Sequence, residues 1–135
     1  MAKYQNYKAN LSVLKRAPEQ DLTNEFVQSG IIDKFVMQFE LSWKLLKEAL
    51  EYEGIVHAAT GSPRMVIKAS YATYEFIDEE LWLNMLTDRN RSEHVYDSTL
   101  AKRLVNTILN SYIGVFEKLL EELENMYGKD LLETF

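Results

Sequence analysis

The sequence predicts an all-α protein, an antiparallel bundle built on two long helices with shorter ones packed alongside. Three observations point there. Apolar residues recur at spacings of three and four through two long stretches, 24–53 and 98–127. No stretch of useful length alternates apolar and polar residues as a half-buried strand would. The two prolines and five glycines fall mainly where helices start or stop.

Each element follows in order. Residues 3–17 read as a first helix, closed off near Pro18. The second runs from about Asn24 to Glu53 and stops at Gly54, with a core stripe of Ile32, Phe35, Phe39, Trp43, Leu46 and Leu50. At ~1.5 Å per residue it is a rod of roughly 45 Å. Gly30 lies inside it at a cost of about 1 kcal/mol against alanine, which implies close packing or a bend. Ser62 is placed to cap a short helix over 63–74, with Pro63 at the first helical position, where its missing N–H does no harm. Asp78 can cap the next helix, which carries Leu81, Trp82, Met85 and Leu86. The last helix starts after Asp97 or Ser98 and runs to Tyr127. Its stripe is Leu100, Leu104, Ile108, Tyr112, Val115, Leu119, Leu123 and Met126. A parallel row through Val105, Leu109, Ile113, Phe116 and Leu120 widens the buried face enough for more than one neighbour. The tail "KDLLETF" reads as frayed, or as docked on a partner.

The length of 135 residues fits one domain, 1–135, with a real core. No apolar run approaches the ~18 residues of a membrane span, and "MAKYQNYKAN" lacks the apolar stretch of a secretory signal, so a cytoplasmic chain is expected. Without cysteine there is no disulfide, thiolate nucleophile or ordinary zinc cluster. The net charge of −6 argues against a general polyanion binder. Yet "EFIDEE" (75–80) carries −4 and residues 117–135 another −4, which leaves +2 elsewhere and permits a local basic cleft.

Several polar or aromatic residues have plain explanations. His57 stands alone in a loop, and an exposed histidine is the simpler reading. Trp43 and Trp82 sit at helical spacing and belong first to the core. The acids of 117–124 form the solvated side of an amphipathic helix. "TGSPR" lacks the glycine spacing and lysine of a phosphate loop.

The stretch "DRNRSEHVYD" (88–97) differs in kind. In one continuous helix Arg89 and His94 would point about 140° apart. If the helix ends near Asn90 and "EHVYD" is extended, His94 and Tyr96 project to one side, and Arg89 can face them. Arg89 can hold a phosphate bidentately, and His94, with an ordinary pKa of about 6.5, can move a proton near neutrality. Together they suit metal-independent phosphodiester cleavage: His94 takes the ribose 2′-OH proton while Arg89 stabilises the developing charge. Tyr96 can orient the histidine, stack on a base or accept a nucleotidyl group. The competing reading is a polar turn in which Asp88 and Asp97 pair with Arg89 and Arg91, and Asp97 caps the last helix. Asp88, Glu93, His94 and Asp97 match no strong metal-ligand spacing, so neither metal nor cofactor is expected.

"RNRSEHVY" matches the Arg-x4-His-x-Tyr pattern of HEPN proteins encoded beside minimal nucleotidyltransferases. Together with "GIIDKFVMQFELSWKLLKEALEYEG" (30–54), "SPRMVIKAS" (62–70) and "WLNMLTDRNRSEHVYD" (82–97), it resembles the bacterial nucleotidyltransferase substrate-binding protein family. The resemblance implies an up-and-down four-helix bundle with an additional short helix. It also implies a homodimer and a separately encoded minimal nucleotidyltransferase as partner. No Asp-x-Asp pair follows Gly61–Ser62, so the chain lacks that enzyme's own signature. Carried over by motif position, nucleotide or RNA binding falls on Arg89, Asn90, Arg91, His94 and Tyr96. A ribonuclease site across the dimer cleft would use Arg89 and His94, and Tyr96 would receive AMP from the partner.

Overall fold

In a computed structural model that describes residues 2–55, 61–94 and 97–135, every regular element is helical. Helix α1 spans Lys3–Leu14, α2 Glu25–Tyr52, α3 Pro63–Thr73, α4 Glu79–Arg91, α5 Ser98–Thr107, α6 Ile113–Tyr127 and α7 Lys129–Leu132. Short 3-10 turns occupy Ala17–Glu19 and Ser92–His94, and a π-helical turn, Ile108–Tyr112, joins α5 to α6. Among the described residues no helix is long and apolar enough to cross a membrane.

Ser62, Asp78 and Asp97 are the caps expected, and Asn24, expected only as the start of the second helix, is a fourth. Asn24 accepts the amides of Phe26 and Val27 at 2.8 and 3.2 Å. Ser62 receives Met65, Asp78 receives Leu81, and Asp97 receives Thr99 and Leu100. These side chains satisfy amides that the first helical turn leaves unpaired. At the other end of α2, Gly54 takes φ +80°, and the Ile55 and Gly54 amides return to the carbonyls of Leu50 and Glu51 at 2.9 and 3.0 Å. That paired closure requires a left-handed residue, which only glycine adopts without strain.

Helix α2 is the centre of the molecule: α1, α3, α4, α5 and α6 all pack on it. Its buried face includes Ile32, Phe35, Phe39, Leu46 and Leu50 as expected, while Trp43 is only partly buried. Phe35 stacks on Tyr112 with centroids 5.3 Å apart and leans on Phe116; Trp82 contacts both Phe39 and Phe116. Fully burying each such side chain contributes about 1.5–3 kcal/mol, so this aromatic seam is a large share of what joins α2, α4 and α6.

A buried polar ladder ties α1 to α2. Asn10 Nδ2 donates to the Gln38 Oε1 and the Lys34 carbonyl at 2.8 and 2.9 Å. Gln38 Nε2 donates to the Tyr7 carbonyl, Ser42 Oγ to the Gln38 carbonyl, and the Tyr7 hydroxyl to the Phe116 carbonyl. Gln38 and Ser42 are fully buried, so these bonds are needed to offset lost water.

Four expectations need correction. Gly30 is exposed, a Cβ there would meet nothing within 4 Å, and it borders a cavity of about 400 Å³; it opens space rather than allowing close packing. The long last helix is interrupted by the π turn, and the ends of its stripe, Leu100 and Met126, are exposed. The C-terminal tail is not frayed. Leu132 and Phe135 are buried, and the Phe135 ring meets Tyr52 and Tyr127, so the tail docks on its own chain. Glu93 and His94 are not extended but continue α4 as a 3-10 turn.

Candidate functional site

Helix α4 delivers Arg89 by simple periodicity. Trp82, Met85 and Leu86 are buried, and Arg89 continues the same stripe three to seven residues on. It therefore leaves the helix on the side that faces α2. Glu79 and Glu80 occupy the first turn, and Arg89 and Arg91 the last, a charge order that suits the helix dipole.

On α2 the guanidinium meets Glu40. Arg89 Nη2 donates to Glu40 Oε1 in an ion pair, and Nη1 donates to Asn90 Oδ1 at 3.0 Å. The other Glu40 oxygen accepts Trp43 Nε1 at 3.1 Å. The side chains of Arg89 and Glu40 are 29% and 26% exposed, so water still reaches the pair and part of the Coulomb attraction is screened. Ser92 Oγ donates to the Arg89 carbonyl at 2.7 Å and closes the end of the helix.

The pair stands in an open groove of about 1260 Å³ with α1 on one side and the end of α4 on the other. Val36, Met37 and Leu41 of α2 are part of its apolar lining, which α1 shares; Asn90, Ser92 and Glu93 come from the motif. Lys34, Lys44 and Arg89 bring three positive charges, and Asp33, Glu40 and Glu93 three negative ones.

Asp88 turns the other way. It accepts the Tyr112 hydroxyl at 2.5 Å. Burial, reinforced by this carboxylate, holds the Tyr112 phenol well above the ordinary phenol range. The expected pairing of Asp88 with an arginine is thus replaced by a tyrosine from the π turn. Asp97 does cap α5, and the two amides it receives hold its carboxyl below the usual range.

The sequence-derived residues separate accordingly. Arg89 and Asn90 share the groove, whereas Arg91 is exposed and does not line it. The backbone of His94 closes the 3-10 turn, and its side chain is outside what the structure describes. Tyr96 and His57 lie outside the described residues. Among the described residues no cluster of three or more His, Asp or Glu is arranged to hold a metal.

Glu40, Trp43 Nε1 and Tyr112 were not legible as site residues. Glu40 carried one usable signal, a lone carboxylate within the apolar run "VMQFELSW" of a central helix. A charge there needs a partner.

A family model described as nucleotidyltransferase substrate binding protein like matches residues 2–125, from the start of α1 to near the end of α6. No curated protein matches the chain. A match over nearly the whole helical framework, with Arg89, Glu40 and the groove inside it, places this chain in the nucleotidyltransferase substrate-binding protein-like family.

Proposed function

We propose that the chain is a non-catalytic, cytoplasmic HEPN-type subunit, an up-and-down four-helix bundle that pairs with a separately encoded minimal nucleotidyltransferase. It holds nucleotide or RNA in the Arg89 groove, with a second copy of the chain completing the cleft. The observation that carries this reading is the state of Arg89: a half-buried cation at a groove, fixed in place and already charge-compensated by Glu40. A guanidinium held at the edge of an open groove can take a phosphate once the carboxylate gives way, which suits recognition of a phosphate-bearing ligand. The family membership supports the nucleotidyltransferase partner.

The test is co-expression with a neighbouring reading frame that carries Gly-Ser and Asp-x-Asp. A complex that survives gel filtration, binds ATP, and loses nucleotide affinity beyond that of the enzyme alone on Arg89→Ala is expected. Failure of the two chains to associate overturns the reading.

The intact Arg89–His94 spacing favours a second reading, a metal-independent ribonuclease whose AMP acceptor is Tyr96. In it, His94 removes the 2′-OH proton and Arg89 must exchange Glu40 for the scissile phosphate.

A further inference from the structure

We infer that the start of α2 is a self-complementary docking surface, in which Phe26 of one copy of the chain fills the hollow at Gly30 of a second copy. This rests on the reading that a second copy completes the Arg89 cleft, and it assigns the surface by which that copy binds.

The knob and the hollow lie one helical turn apart. Phe26 is 89% exposed, more than any other large hydrophobic side chain among the described residues, and stands on the first turn of α2. Scattered apolar side chains at a surface are ordinary, but this ring adjoins an apolar hollow. At Gly30 an added Cβ would meet nothing within 4 Å, and the surface opens into the cavity of about 400 Å³ walled by Val13, Leu14, Ala17, Val27 and Ile31. Phe26 does not line that cavity, so the ring leaves its own hollow unfilled. Glycine is a poor helix former, and its φ here is not positive. What Gly30 supplies is therefore room.

Residues four apart on a helix share a face, about 6 Å from one another. A two-fold axis crossing between Phe26 and Gly30 sets the two α2 helices antiparallel and lays each ring over the other copy's Gly30, so both contacts form at once and the assembly closes. In that register the turn before α2, with exposed Asp21, falls over Lys34 of the other copy. Lys34 has no ion pair among the described residues, and the charged residues lining the cavity are Arg16 and Lys34, with no acid. Each ring buries about 150–250 Å². Val13 and Met37, exposed on the same side, extend the patch toward the ~800 Å² per partner of a stable interface. Val13 and Lys34 line both this cavity and the Arg89 groove, so a second copy seated here closes the near end of that groove.

Sedimentation equilibrium of the full chain and its variants is the test. Wild type is expected to be a dimer at micromolar concentration. Phe26→Ala removes a ring that is exposed in the single chain, so it should leave the melting of dilute protein unchanged and raise the dimer Kd about a hundredfold, roughly tenfold for each ring. Gly30→Leu fills the hollow with a better helix former, so it should raise the melting temperature of dilute protein while dissociating the dimer. The chain has no cysteine, so Phe26→Cys mixed with Gly30→Cys reports the register. Under mild oxidation the mixed disulfide-linked dimer, which keeps one native Phe26–Gly30 contact, should exceed either like-with-like dimer. A monomeric wild type overturns this inference together with the second-copy reading. A dimer whose Kd is unmoved by Phe26→Ala and Gly30→Leu, or whose cross-linking shows no preference, overturns only the surface assigned here. Loss of nucleotidyltransferase association in Phe26→Ala with the dimer intact gives the surface to the enzyme, and overturns the inference as well.

Discussion

Tyr112 and Asp88 are joined across two helical segments, the tyrosine hydroxyl donating to the carboxylate that immediately precedes Arg89 in the chain. The tyrosine comes from a π turn, where the widened backbone interrupts an otherwise regular rod, and its ring lies stacked on Phe35 in the core. The end of α4 is thereby tethered on both flanks, by Tyr112 through Asp88 and by Glu40 through Arg89.

Tyr112→Phe keeps the stack and removes only the tether. A hydrogen bond to a charged acceptor is worth about 1.5–3 kcal/mol, discounted here toward ~1 kcal/mol because Asp88 is only half-buried. Thermal unfolding should fall by roughly 3 °C for a chain of this size. An unchanged melting temperature would show that the tether carries no stability.

Four buried phenols and the half-buried Tyr127 predict how the fold responds to alkali. Tyr4, Tyr7, Tyr74, Tyr112 and Tyr127 all have their pKa raised, with burial the leading cause in each. Carboxylates add to it at Tyr4 (Glu124), Tyr112 (Asp88) and Tyr127 (Glu53). A group whose folded pKa exceeds its unfolded value, about 10 for a phenol, stabilises the fold fully below that pH. The contribution is lost as pH rises from there through the folded value. Stability should therefore decline above about pH 10. Tyrosinate absorbance from these five should grow only as the helical circular dichroism collapses. Full ionisation of all five with helicity intact would contradict the burial of Tyr4, Tyr7, Tyr74 and Tyr112.

The docked tail makes Leu132 part of the core. Leu132→Ala should cost about 2–5 kcal/mol, the range for a fully buried leucine, whereas a frayed tail would cost nothing. Urea unfolding with its midpoint unmoved would restore the frayed description.

Activity separates the two functional readings. The subunit reading predicts that purified chain leaves RNA intact, and that an active partner with ATP adds no mass to it. Cleavage that resists EDTA and disappears in both Arg89→Ala and His94→Ala would favour the ribonuclease instead. An AMP adduct blocked by Tyr96→Phe would point the same way.

What was legible in the sequence was local. Ser62, Asp78 and Asp97 each cap a helix through amides two or three residues away, and Gly54 ends α2 through its own φ. Most of the core stripes of α2 and α6 follow from period, although Trp43 is only partly buried and Met126 is exposed. What was not legible depends on distant partners. Glu40 and Arg89 are 49 residues apart, so nothing in the periodicity of either helix announces their meeting. The tail read as frayed or docked on a partner because its two anchors, Leu132 and Phe135, are too few to show a pattern. The motif itself was visible, but the residue that governs its arginine lay in another helix.

The ladder of Asn10, Gln38, Ser42 and Tyr7 has one further effect, on alignment rather than strength. Apolar faces tolerate sliding, since one leucine resembles the next, but an amide between two specific acceptors does not. Shifting α1 by one turn, ~5.4 Å along α2, would strand the Asn10 and Gln38 amides at about 1–3 kcal/mol each. These few polar atoms act as a key cut for a single notch: they fix where α1 sits along the groove, and with it the distance from the α1 wall to Arg89.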